Sequence, residues 1–522
     1  MGGSCIVSGT TPMSEFTHLF DLASARLGGR VIAANDDFFA EKDNLLKPEA
    51  AVFIPGKYTD RGKWMDGWET RRRRTPGHDW CIIRLGLPGI IHSFVVDTAF
   101  FTGNFPSHCW IDGCGLPPGA DPEAASVGWY PVLERTELAG DAKNAFTVPS
   151  SAPRERRVTH LRLNIFPDGG VARLRVLGEV LPDWTRILGS HAVVDLASAT
   201  NGGYLADASD RFYGEPRNML MPYAAEHMGE GWETKRRRGP GHDWAVVHAG
   251  IQGTVSRLEI DTAHFKGNFP DSASVEAAMV SAQDGGVSAD VSTRITASWT
   301  PLLTQSKLQA DHLHAFEAEL APNVRASHVR LNIYPDGGVS RFRVFGTPDA
   351  AARRRAVLRQ LNAIDEPELR AALADFCAAP GWIERVAASR PFATPETVLA
   401  AADAAADCLE PDGWREAFRH HPRIGEGVAE RRQSDLARTL SASEQAAAGQ
   451  ASTADRDALI YANREYEAKF GHVFVVCATG KTAPEMLAAL RERLTNEPET
   501  ELRVAAGEQR RITRLRLERL LG

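Results

Sequence analysis

Apolar and polar residues alternate with a period of two along much of the first two thirds of the chain, as in LRLNIF (residues 161–166), ARLRVLG (172–178) and VSRLEIDTAHF (255–265). That period places successive side chains on opposite faces and predicts half-buried β-strands. Pro-Asp-Gly-Gly (167–170) separates two of them and supplies a preset φ followed by glycines that tolerate positive φ, so a hairpin is expected there. No long segment of period 3.6 intervenes, and antiparallel β-sandwiches are the predicted class, with jelly-roll topology one arrangement of them that the pattern itself does not fix. Near Pro348 the texture changes. Ala, Leu, Arg and Glu then dominate, and helical spacing runs through residues 361–377 and 397–410, with 351–360 as a linker or first helix. A third, all-helical domain follows from it.

The strand pattern occurs twice. GWETRRRRTPGHDW (67–80) returns as GWETKRRRGPGHDW (231–244), DTAFFTGNFP (97–106) as DTAHFKGNFP (261–270), and HLRLNIFPDGGVARLRVLG (160–178) as HVRLNIYPDGGVSRFRVFG (328–346). Self-similarity of this length marks two homologous domains, taken as residues 16–180 and 190–348, before a helical domain at 357–522.

Bulk properties narrow the functional classes. A chain of 522 residues exceeds one hydrophobic core. A formal net charge of -7 argues against a dedicated nucleic-acid binder and makes the arginine runs local features of an acidic protein. Seven scattered cysteines without a CxxC pair suit a reducing compartment, and neither an export signal nor a membrane-length apolar run occurs, so a cytoplasmic protein is expected.

The repeated stretch concentrates chemistry. On a strand the four arginines 71–74 alternate faces, so a pair such as Arg71 and Arg73 can fork onto a carboxylate; alternatively they clasp neighbouring acids. His78-Asp79 and His242-Asp243 have the residue types of a general acid or base with an orienting carboxylate, although adjacent strand residues point apart. A metal site drawing on Asp261 and His264, or a histidine that caps a loop, fits the same types. Asp97 and Asp261 precede Thr-Ala and suit turns.

NDDFFAEKDNLL, GKWMDGWETRRRRTPGHDW, DTAFFTGNFP and the LNIFPDGG ending resemble allantoicase, over both repeats from about residue 16 to 346. The resemblance implies tandem jelly rolls, homo-oligomers, and hydrolysis of allantoate to ureidoglycolate and urea. Under it, Arg71, Arg73 and Arg237 are candidates for the substrate carboxylate, and Glu69, Asp97, Glu233 and Asp261 for the ureido N–H groups. His78, Asp79, His242 and Asp243 are candidates for proton transfer to the departing urea. A requirement for metal is not read from these residues. The copies differ at Asp37 and Arg211, Asn35 and Ser209, and Phe100 and His264, so unequal sites are expected. A competing class is a jelly-roll protein that binds a small acidic ligand, with catalysis confined to the helical domain.

In the helical third, FRHHPRIGE places His421 at a helix end before Pro422, and SASEQ (441–445) has the form of a capping box. LIYANREYEAKFGHVFVVCATGKT (459–482) ends a helix at Phe470-Gly471 and continues as an apolar run, while Ile512, Arg516 and Leu520 share one face of a last helix. With RPF (390–392), these motifs resemble the decarboxylase of 2-oxo-4-hydroxy-4-carboxy-5-ureidoimidazoline (OHCU), over about residues 361–521. The resemblance implies a cofactor-free, all-helical enzyme that makes (S)-allantoin. It places the catalytic roles on His421, Glu444 and Arg516, and substrate contacts on Pro422, Ser441, Gln445 and the run His472, Val473, Phe474, Val475 and Val476. The family carries an aromatic residue and a proline where this chain has His472-Val473.

Overall fold

The computed structural model describes residues 19–149, 155–190, 192–280, 298–419, 421, 423 and 452–521. These divide into two compact units, one of the described residues up to 182 and within 193–349, the other of those within 183–192 and from 350 onward.

Each repeat is organised on one 19-residue strand, Asp79–Asp97 in the first and Asp243–Asp261 in the second. The first half of Asp79–Asp97 pairs with Arg30–Ala34 and Val158–Phe166, and its second half with Lys143–Thr147 and Arg173–Val180, all antiparallel. One strand therefore joins both halves of an eight-stranded sheet, and the apolar faces supply the core of a sandwich. Gly89 lies where the strand changes partners, and a Cβ there would sit 2.1 Å from the Glu179 carbonyl oxygen. Only glycine allows that approach.

The Pro-Asp-Gly-Gly segment does not close a hairpin, contrary to the expectation from sequence. Val158–Phe166 pairs with His108–Cys114 and the first half of the long strand, whereas Arg173–Val180 pairs with its second half and with Phe20–Asp21. Alternation reports that a strand has one buried face, not which strand lies beside it. Gly169, at φ 140°, and the short pairing of Gly170–Val171 with Trp68–Glu69 carry the chain from Val158–Phe166 across to Arg173–Val180 on the other side of the long strand. Gly337 and Gly338–Val339 repeat this arrangement.

The opening of the Gly-Trp-Glu-Thr motif is structural. Trp68 and Trp232 are fully buried, and their indole N–H groups donate to the carbonyls of Asp36 (2.8 Å) and Asp210 (2.9 Å). Between the repeats, Arg26 pairs with the buried Glu230 at 2.7 Å.

Nine helices among the described residues form the second unit. Helix Trp184–Ser190 belongs with them, because the Gln360 side chain accepts from the Thr185 N–H (3.0 Å) and donates to Asp183 (2.8 Å). Residues 351–360 lie within helix Ala350–Ala363. The helical pattern at 361–377 resolves into the end of that helix and Glu366–Ala374. Gly471, at φ 74°, ends Thr453–Phe470, as the sequence indicated. No helix among the described residues is long and apolar enough to cross a membrane.

Candidate active sites

At one end of the first sandwich, the loops after Arg30–Ala34, Trp68–Glu69, Asp79–Asp97 and Val158–Phe166 converge. Glu69 holds them together: its backbone pairs with Ala40 and Gly170, and its carboxylate accepts from the Asn104 amide at 2.6 Å. Burial pushes the Glu69 carboxyl up, against the opposing Asn104 hydrogen bond and the Lys63 charge. Beside it, the Arg71 guanidinium lies 5.2 Å from the centre of the Phe38 ring and bonds Asp36 at 2.9 Å. Burial works against ionising Asp36, but the Arg71 side chain and nearby N–H groups outweigh it and hold the carboxyl below its usual range. An acid in partly desolvated surroundings, with a cation and an aromatic face nearby, is a constellation able to hold a small polar acid.

The second repeat keeps the acid and changes the cation. Glu233 accepts from Asn268 at 2.6 Å, while Lys235 takes the place of Arg71 and lies over Phe212.

The arginine runs are loops, not strands: residues 71–74 lie between Trp68–Glu69 and Asp79–Asp97. Arg73 does not join Arg71 in a fork. Its backbone N–H donates to Asp168 (2.8 Å) and its side chain to the buried Asp79 (2.7 Å), which also accepts from Asn35 (2.9 Å). Arg237 forms the same clasp with Asp243 and Asp336, with Ser209 in place of Asn35. Arg73→Ala would leave the buried Asp79 with Asn35 as its remaining side-chain hydrogen-bond partner among the described residues, so it should lower unfolding free energy by about 1–3 kcal/mol. Arg71→Ala, at a head group 61 % exposed, should cost clearly less, since solvent screens its pairing with Asp36. Urea unfolding of both variants checks the order, and equal losses would contradict the clasp.

His78 and Asp79 do not form a dyad. While Asp79 is clasped, His78 Nε2 meets Asn164 Oδ1 at 3.2 Å and its ring lies 4.5 Å from Trp110. Asn164 donates to Asp112, which also accepts from Arg162. His242 repeats the arrangement with Asn332, Glu276, Arg330 and the Tyr334 ring. Sequence reasoning missed this network, although Arg162 and Asn164 are the polar positions of LRLNIF. Asp97 and Asp261 cap the Ala99 and Ala263 N–H groups, which is turn chemistry. His264 Nε2 meets the Ala225 carbonyl, and among the described residues no three His, Cys, Asp or Glu side chains converge in a metal-binding geometry.

In the helical unit, His421 follows helix Pro411–Phe418 and its Nε2 lies 2.5 Å from Gln509 Oε1. Arg516 is buried on the same helix as Gln509, Pro498–Leu521, and contacts the Asp375 carbonyl at 3.4 Å. His472 is buried among Phe418, Tyr466 and Phe470, and burial lowers its imidazole pKa. Phe474, Val475 and Val476 are buried, with the Val475 carbonyl accepting from Arg493 at 2.8 Å. Arg493 in turn pairs with the fully buried Glu501. This ion pair stiffens the run that the resemblance assigns to substrate. His472 also lines a cleft of about 550 Å³ with Trp414, Arg415, Phe470 and Arg503. Pro422, Ser441, Glu444 and Gln445 lie outside the described residues.

Two homologous β-sandwiches with repeated polar loop sites, followed by a separate helical unit, define a multidomain enzyme with two candidate centres. The allantoicase repeat model matches residues 20–181 and 194–349, and the OHCU decarboxylase model matches 362–518. The probable allantoicase 1 of Burkholderia mallei is 49% identical over 64% of this chain and 96% of its own length; the probable allantoicase of Ralstonia nicotianae is 46% identical over 64% and 96%. The crystal structure of allantoicase from Saccharomyces cerevisiae is 33% identical, with a TM-score of 0.52, over 64% of this chain and 96% of that one. The chain belongs to the allantoicase family and carries an OHCU decarboxylase domain after its two repeats. It thereby combines two enzymes of ureide breakdown, both acting on small molecules.

Proposed function

We propose that the repeats hydrolyse allantoate to (S)-ureidoglycolate and urea, and that the helical domain decarboxylates OHCU to (S)-allantoin. The observation that carries the first reaction is the Glu–Asn hydrogen bond repeated at the loop end of both repeats, with a cation over an aromatic ring two residues further along the chain. In this reading Arg71 or Lys235 faces the substrate carboxylate, and Glu69 or Glu233 accepts its ureido N–H groups and supports proton transfer to the leaving urea. Asp79 and Asp243 are committed to their clasps and suit this role less well. The asymmetry favours the first repeat, since a guanidinium can grip a carboxylate with two hydrogen bonds and an ammonium cannot. Family membership favours catalysis over simple ligand binding.

For the second reaction, loss of CO₂ leaves an electron pair that the ring carbonyl delocalises, so neither a metal nor pyridoxal is needed for it. Arg516 stabilises the developing charge, and His421 protonates the carbon on one face. The two reactions are not consecutive, because allantoin must first be opened to allantoate by a separate hydrolase. Homo-oligomers, as the resemblance implies, complete the proposal.

Glu69→Gln and Glu233→Gln, made separately in the full chain, test the first half. Loss of a charge-assisted contact should reduce kcat/KM for urea release by about 10–100-fold in Glu69→Gln. A larger loss in Glu233→Gln would move the site to the second repeat, and full activity in both would remove the Glu–Asn pair from the mechanism.

A further inference from the structure

The last helix, Pro498–Leu521, buries a polar stripe along one face. Gln509 is 1% exposed and lies one turn before Thr513, which is also buried, with Arg516 three residues further on. Spacings of four and three put all three on one face. Their hydrogen bonds form an ordered chain. The Thr513 hydroxyl donates to the Phe376 carbonyl at 3.3 Å, the Gln509 amide Nε2 donates to Thr513 Oγ1 at 3.2 Å, and Gln509 Oε1 faces His421 Nε2 at 2.5 Å.

Direction follows from the far end of the chain. A backbone carbonyl can only accept, so the Thr513 proton points to Phe376 and the Thr513 oxygen is left as an acceptor. The Gln509 NH₂ group must then face Thr513, and its carbonyl oxygen must face the imidazole. An acceptor opposite Nε2 requires a proton there. Which ring nitrogen carries the proton is thus decided by buried groups rather than by solvent.

We propose that Gln509 is a positioning residue for the decarboxylase reaction: held by Thr513, it fixes His421 with its proton on Nε2 and leaves Nδ1 as the nitrogen that exchanges a proton with the substrate. The proposal rests on the reading of His421 given above. In the step itself, the bond from carbon to the departing carboxylate breaks and its electron pair stays on the ring carbon. The Nδ1–H of the imidazolium is then transferred to that carbon, and water restores the Nδ1 proton. Nε2–H stays bonded to Gln509 throughout. A neutral carbonyl suits this cycle, because it accepts from Nε2–H in both charge states without pinning the positive charge as a carboxylate would.

Long-range ¹H–¹⁵N spectra of the full chain, labelled at histidine and assigned by comparison with His421→Ala, read the tautomer directly. The neutral His421 ring should show a protonated Nε2 and an unprotonated Nδ1. Gln509→Leu should lose that preference and lower kcat for decarboxylation by about 10–100-fold, the usual cost of losing a partner that orients a functional histidine. KM should change little. Gln509→Glu, which keeps the acceptor, should keep a proton on Nε2 where Gln509→Leu does not, and should hold the ring as imidazolium to higher pH, outcomes that a mere packing role would not give. A proton on Nδ1 in the wild-type chain, or a wild-type kcat in Gln509→Leu, would overturn the proposal. A wild-type chain that did not decarboxylate OHCU would refute the role of His421, while the spectrum would still decide the tautomer.

Discussion

Replacing His421 with alanine in the full chain should slow formation of (S)-allantoin by about 10²–10⁴-fold, the range for loss of a positioned general acid, and should erode the enantiomeric purity of the product. Without the imidazole, the carbanion left by CO₂ takes its proton from water, which can reach more than one face. Urea release from allantoate should not change, because His421 belongs to a different compact unit from both repeats. Decarboxylation with chiral analysis of the allantoin, followed beside urea release on the same preparation, checks both statements. Unchanged enantiomeric purity would remove His421 from the stereochemical step.

The second large effect concerns stability. Arg173, 2% exposed, donates to the carbonyls of Glu49, Asp66 and Ala172 and to the Asp66 carboxylate at 2.7 Å. Arg173→Ala would leave a buried carboxylate without its main partner and should cost about 3–5 kcal/mol. Arg341 holds the equivalent position in the second repeat, and among the described residues it bonds the carbonyls of Tyr223, Glu230 and Ser340 rather than a carboxylate. Glu230, the counterpart of Asp66, turns instead to Arg26. Arg341→Ala should therefore cost less than Arg173→Ala.

The pH dependence has a definite sign. Burial opposes ionisation of Asp66, but Arg173, the Val52 N–H and Lys47 outweigh it and depress the carboxyl. A depressed folded-state pKa contributes stability that is present above the ordinary carboxylate range and lost as pH falls through the folded value. The gap between wild type and Arg173→Ala should narrow in acid. Urea midpoints at neutral and acid pH measure it, and a gap that widened in acid would contradict the pairing.

Much of the architecture was legible because periodicity is a local property. Alternation revealed the strands, repetition revealed the two sandwiches, and the change of period near Pro348 revealed the helical unit. Partners were not legible, since they depend on contacts distant in sequence. The Pro-Asp-Gly-Gly turn shows this well: residues 158–166 and 173–180 are close along the chain yet join different halves of one long strand.

The sites show the same division. Glu69 was visible as a conspicuous acid within a repeated motif, but its bond to Asn104, 35 residues away, was not. Arg73 was visible as a charge, while its clasp with Asp79 and Asp168 depended on the folded loops. Gln509 gave no signal at all. A glutamine in a charged helical sequence resembles a solvated residue until the helix is seen to bury it opposite His421.

We propose that one chain carries two independent ureide activities. The most direct test is the initial rate of urea release from allantoate by the purified full-length chain, measured for wild type and for His421→Ala. Urea release at the same rate by both proteins, with (S)-allantoin formation lost only in the variant, is the predicted result. A folded wild-type chain that released no urea above the uncatalysed rate, or a His421→Ala chain that lost urea release as well, would contradict it.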